Sequence, residues 1–236
     1  MNQKYKNGLI VGLSNTIITH PIDTMRLRIF FDTKNINIKD AYKGINFNLV
    51  TSSIKMMLNY PTQEYFENKF VKSNNSKLYS GILTGLLIGI FATPINNIKI
   101  PLQIHNHGVL DATKKIYNSY GIKGFTRGGL STLMRDISWN ALYFPVYSYF
   151  SEDLKYNKII SSIMASMLST TVAYPLDGIR LYRQNYKQNY NFIHGLEKSL
   201  ELSRINFKSY CIAITRVPLS TMFTHMFYLY LNKKEN

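Results

Sequence analysis

Hydrophobic positions along this chain gather into long runs with no charged side chain, at residues 8–22, 78–98, 137–151, 159–176 and 217–232. A sixth run, 44–68, is interrupted by Lys55 and carries Pro61. Only 78–98 reaches the ~20 residues that cross the ~30 Å hydrocarbon core of a bilayer. The shorter runs suffice if their helices continue into charged ends, where lysine and arginine stems lie along the apolar surface and their heads reach water. Six membrane-crossing helices are therefore expected. The competing pattern is a large soluble helical protein, because apolar runs this short fit buried helices as well.

Internal repetition separates the two. Three runs close on related segments: PIDTMRLR from Pro21, PINNIKIPLQ from Pro94 and PLDGIRLYRQ from Pro175. Thirteen residues before each proline stand Gly8, Gly81 and Ser162, and nine before stand Gly12, Gly85 and Ser166. Small residues four apart share a helix face and allow two backbones to approach within a membrane. Downstream, Arg135 and Arg216 each follow their proline by 41 residues, and Tyr147 and Tyr228 follow those arginines by twelve. Each unit is thus a pair of hydrophobic helices joined by a polar link, repeated in 1–72, 73–155 and 156–236, as in transporters built from internal repeats.

The three proline segments resemble the Pro-x-[Asp/Glu]-x-x-[Lys/Arg]-x-[Lys/Arg] signature of the mitochondrial carrier family, completely so in PIDTMRLR. The glycine spacing and the links GIKGFTRG and AYKG are similar to the family's as well. The resemblance implies an all-α membrane protein of six transmembrane helices, in three pseudo-threefold helix-pair repeats around a central cavity. It further implies a monomeric, multi-pass solute carrier of the mitochondrial inner membrane that exchanges an anionic metabolite by alternating access, with no cofactor and no catalysis. The prolines are spaced by only 73 and 81 residues, so the loops are short. The first repeat is expected to have lost most of its short matrix-side helix, while 111–120 and 192–202 remain candidates for the other two.

Proline lacks an amide donor and crowds the preceding turn, so Pro21, Pro94 and Pro175 are expected to kink three helices and draw their ends together. The resemblance then implies a matrix gate in which Asp23 pairs with Lys99 and Asp177 with Arg26. The third pair joins residue 96 to Arg180, but residue 96 is Asn96, which lacks the charge-assisted strength of a carboxylate. Gln103 and Gln184, nine residues after their prolines, are expected to brace the gate from below. At the opposite end the family's second gate has no acid and base counterpart at Gln63, Glu64 and Glu67, at Ser148 and Ser151, or at Leu229 and Asn232.

Substrate contacts implied by the resemblance fall at Thr51, at Arg135 with Asp136, and at Arg216. Trp139 and Tyr143 follow Arg135 at helical spacing and extend that face. An arginine inside a membrane segment is costly and by default functional, so both arginines read as anion ligands; Arg135 could instead be satisfied by Asp136, and the aromatic pair could serve helix packing. Arg-Asp at the second contact is amino-acid-like in the family, whereas a net charge of +15 and Trp139 suit a phosphorylated, nucleotide-like anion. The nucleotide-like reading is preferred, with an amino acid or carboxylate carrier, or a carrier-like protein without transport, as alternatives. Lys43 with Gly44 and Arg127 with Gly128 are similar to the family's cardiolipin sites at helix N-termini, where free amides hold phosphate.

Composition alone points elsewhere, since a mean hydropathy of −0.13 looks soluble and a pI of 9.7 would suit nucleic acid. The repeats make nucleic acid an unexpected partner. The lone Cys211 excludes an internal disulfide, and His20 and His225 lack metal-ligand spacing. Abundant asparagine, isoleucine, lysine and tyrosine suggest an AT-rich viral or parasite genome.

Overall fold

A computed structural model describes residues 3–31, 41–70, 75–104, 108–184 and 207–233. Among these the chain is helical, with no strand. Six long helices are α1 (Gln3–Phe30), α2 (Ile45–Lys69), α3 (Ser76–Ile104), α5 (Gly129–Ser148), α6 (Lys158–Gln184) and α7 (Phe207–Lys233). A short α4 (Val109–Tyr120) lies between α3 and α5, where residues 111–120 were expected to be helical. The candidate short helix at 192–202 and the shortened link after α1 lie outside the described residues.

Each long helix packs against the next, and α7 returns to α1, so the six close into a ring. Polarity across this ring is inverted relative to a water-soluble bundle. Its buried set is rich in His20, Thr24, Ser80, Thr84, Thr132, Ser162, Ser166 and Ser169. Its outer surface carries apolar rows: Ile10, Leu13 and Ile17 on α1, Leu86, Ile90 and Phe91 on α3, and Ile160, Met164, Leu168 and Val172 on α6. Residues 160 to 172 cover ~18 Å at the helical rise of 1.5 Å per residue. Such a belt would aggregate in water but matches a hydrocarbon solvent. Two helices, Ser76–Ile104 and Lys158–Leu181, are long and apolar enough to cross a membrane on composition alone. The other four are diluted by the polar residues that they turn inward.

All seven prolines lie inside these long helices. That usage is rare in soluble helices and tolerated in membrane ones. The helices continue past Pro21, Pro94 and Pro175, and beyond them the ends of α1, α3 and α6 gather. Leu27, Phe30, Ile100, Ile104 and Leu181 meet there as an apolar plug, with Phe31 against it.

Glycine sets the closest helix approaches. A Cβ at Gly85 would stand 2.6 Å from the Asp136 carbonyl oxygen on α5, and one at Gly12 would stand 2.7 Å from Ser53 Cα on α2. Those atoms are backbone, so the helices themselves must separate to admit a methyl group. Gly85→Ala is expected to destabilise the chain by about 1–3 kcal/mol. Thermal unfolding in detergent should show the loss as a lower midpoint than that of the wild type.

Candidate functional site

Inside the ring lies a cavity of about 350 Å³ that reaches down to the plug. All twelve residues assigned from sequence to substrate contact or to the gate line it. Why they converge follows from the fold: α1, α3 and α6 bring the residues just beyond each proline to the floor, while α2, α5 and α7 supply the wall above.

Asp177 is the centre of the floor. Arg26 reaches it across the bundle from α1, the pairing that the family resemblance implies, and both side chains are buried. Arg180, one turn along α6, bonds the other carboxylate oxygen at 2.7 Å, and Arg135 Nε stands 3.8 Å from that oxygen. Three guanidinium groups therefore share one carboxylate. Arg26 also lies over the Tyr174 ring, 5.6 Å from its centroid.

Asp23 departs from expectation. Its partner is Arg216, whose Nη1 donates to Asp23 Oδ2 at 2.8 Å, and not Lys99. The long guanidinium on α7 descends toward the neighbouring α1, leaving Lys99 on the cavity wall with no ion pair among the described residues. Nor does Arg180 reach Asn96, because the carboxylate within its own helix is the stronger acceptor.

Asp136 is 2% exposed and meets Arg135 Nη1 at 2.9 Å. Lys55 Nζ approaches the same oxygen at 3.6 Å. Lys55 entered the sequence reading only as an interruption of a hydrophobic run, yet it lines the cavity. The signal was available, since a lysine kept inside a membrane segment is costly unless it faces a polar site. Thr51, one turn earlier, bonds the Phe47 carbonyl of its own helix.

The aromatic face on α5 is a stack. Trp139 and Tyr143 lie 4.7 Å apart at 10°, and Tyr147 follows at 6.0 Å and 13°. Trp139 Nε1 donates to Thr170 Oγ1 on α6, and the Tyr143 hydroxyl meets Ser162 Oγ. Both rings therefore serve helix packing while also lining the cavity.

The two glutamines do not touch the ion pairs. Gln103 donates to Thr24 Oγ1 at 3.1 Å and Gln184 to Thr132 Oγ1 at 2.9 Å, tying α3 to α1 and α6 to α5. Gly44 and Gly128 cap α2 and α5 at φ 74° and 65°, a left-handed conformation that suits glycine. His20 accepts a hydrogen bond from Asn48 Nδ2 at Nδ1 and bonds the Lys43 carbonyl through Nε2, locking the turn before Gly44. Arg127 lies over the Tyr120 ring at 3.9 Å.

At the far end an ion pair exists where the sequence reading found none. Lys77, at the start of α3, bonds Ser148 at the end of α5 and Glu152 in the short helical turn that follows, Tyr149–Asp153. It was missed because it joins positions beside the expected motif instead of within it. Gln63 spans to Ser80 and Thr84 on the neighbouring α3.

A helix ring with an apolar exterior, a polar charged cavity and a closed floor defines a membrane solute carrier. Sequence comparison specifies it further. The mitochondrial carrier protein profile matches residues 72–158. A mitochondrial carrier-like protein of Acanthamoeba polyphaga mimivirus is 27% identical over 84% of this chain and 88% of its own length. A mitochondrial substrate carrier family protein of Dictyostelium discoideum is 26% identical over 98% of this chain and 95% of its own. The mitochondrial aspartate-glutamate transporter of Saccharomyces cerevisiae is 25% identical over 62% of this chain and 19% of its own. Over nearly its whole length the chain is similar to the mitochondrial carrier family, whose members are transporters.

Two outcomes follow. Asp177→Asn leaves several buried guanidinium groups without their shared carboxylate and is expected to cost about 3–5 kcal/mol. Asp23→Asn should cost less, because Arg216 is partly exposed, and the two unfolding midpoints in detergent will rank them. The hydrogen bond from Lys77 holds the Glu152 carboxyl below its usual range. Its contribution is therefore present above the ordinary carboxylate range and lost as pH falls through the lowered value. Melting between pH ~5 and ~3 should depend less on pH in Glu152→Gln than in the wild type, with a small difference because the pair is solvent-screened.

Proposed function

We propose that this protein exchanges a multiply charged anion across the mitochondrial inner membrane by alternating access, as a monomer of three helix-pair repeats, 1–72, 73–155 and 156–236, with six spans. The observation that carries the proposal is the charge on the cavity wall. Among the described residues lining it, Arg26, Lys55, Lys99, Arg135, Arg180 and Arg216 stand against only Asp23, Asp136 and Asp177. A surplus of three cations in a low-dielectric space favours an anionic guest strongly and disfavours a cationic one.

A phosphorylated, nucleotide-like solute fits best. Asp136 is already engaged by Arg135 and Lys55, so it is poorly placed to bind a substrate amine, which removes the usual reason to read an Arg-Asp contact as amino-acid-like. Trp139 stacks on Tyr143 with one face and borders the cavity, where a base could lie against it. The second reading is an acidic amino acid or carboxylate, consistent with the yeast relative named for aspartate and glutamate. Lipid phosphate, with cardiolipin as the candidate, is assigned to the helix starts after Lys43 and Arg127, where Gly44 and Gly128 supply no side-chain hydrogen bond to the first amides. The apolar outer rows, suited to a hydrocarbon surrounding, argue against nucleic acid as a partner.

Purified protein in liposomes, loaded with nucleotides, amino acids or carboxylates, tests the reading. Saturable nucleotide counter-exchange is expected in the wild type, with about a hundredfold loss in Arg135→Ala. Exchange of acidic amino acids alone would move the assignment to the second reading. No movement of any solute would leave a carrier-like protein without transport.

A further inference from the structure

Two residues beyond each signature proline stand Asp23, Asn96 and Asp177. Each of the two acids receives an arginine from the wall helix beside it: Arg216 on α7 reaches Asp23 on α1, and Arg135 on α5 approaches Asp177 on α6. In the third sector the wall helix is α2, which packs against the α3 that carries Asn96. Thr51 follows Gly44 by seven residues, as Arg135 follows Gly128, so the third wall position is also neutral. Acid and arginine are missing together.

The floor cations, however, are not missing. Lys99 lies on α3 three residues from Asn96, without an ion pair among the described residues; it feels the Asp23 carboxylate, which Arg216 already holds, and against it the charges of Arg216, Arg180 and Lys55. Arg180 is left to share Asp177 with Arg26. The Asn96 side chain borders the cavity and makes no hydrogen bond among the described residues.

We infer that the place of the absent third carboxylate, between Asn96, Lys99 and Arg180, is the docking point for an oxyanion of the substrate, a phosphate or carboxylate group that completes the floor network from outside the chain. This rests on the anion-carrier reading and deepens it. An oxyanion supplies the acceptors that Lys99 lacks and relieves the crowding of guanidinium groups on Asp177. Asn96 can donate its amide to the same oxygens, whereas an aspartate there would occupy the site permanently.

The test is thermal unfolding of the full chain in detergent with ADP, inorganic phosphate, citrate and neutral adenosine. In the wild type at least one oxyanion should raise the midpoint and adenosine should not. Asn96→Asp should raise the midpoint without ligand and weaken the binding oxyanion by about tenfold or more. Thr221→Asp, an acid lining the same cavity from α7, should weaken it by less than about threefold, because the field of a distant charge is screened. Lys99→Gln should lose about tenfold without the gain in resting stability, and it decides the matter if Asn96→Asp does not fold. Equal oxyanion affinity in Asn96→Asp and wild type, or a loss no larger than in Thr221→Asp, overturns this placement and leaves the anion-carrier reading intact. If no oxyanion shifts the wild type, both fall.

Discussion

Everything at the floor of this bundle depends on a shortage of carboxylates. Charges buried away from water persist only when paired, and removing a partner is more costly than never having had the pair. Here Asp177 holds Arg26 and Arg180 and attracts Arg135, while Asp23 holds Arg216. These contacts tie α1, α5, α6 and α7 together just above the apolar plug formed by α1, α3 and α6. The floor is closed by charge from above and by hydrocarbon from below, and it still retains a net positive cavity.

That arrangement requires an inverted protein. A ring whose interior is lined by serine, threonine, asparagine and arginine gains little from the hydrophobic effect in its middle. It must be held by backbone proximity at Gly12, Gly81 and Gly85, by hydroxyl and amide bonds such as Gln103 to Thr24, and by ion pairs. The apolar rows of α1, α3 and α6 then face a lipid solvent in which they need no protein partner. Helices that turn polar residues inward fall short of a simple hydropathy criterion, which is why only α3 and α6 meet it.

Much of this was legible in the sequence because the architecture is periodic. Registered prolines, small residues and charges located the helices and the floor without reference to coordinates, and the family resemblance implied the Arg26 to Asp177 pair. What stayed hidden depends on the reach of long side chains between helices. Spacing along α7 places Arg216 on the inward face but does not say that its guanidinium extends to Asp23 and displaces Lys99. The hydrophobic pattern marks Lys55 only as an interruption, since the reach of its side chain from α2 across the cavity makes it a partner of Asp136. Lys77 and Glu152 likewise meet because the start of α3 lies beside the segment that follows α5, which no motif encodes.

The central claim is that the surplus positive charge of the cavity selects what the protein carries. The most direct measurement is the dependence of saturable uptake on solute charge, using adenosine, AMP, ADP and lysine with the reconstituted wild-type protein. The account predicts uptake of the anions and none of adenosine or lysine. Saturable movement of lysine, or of adenosine as fast as ADP, would contradict it.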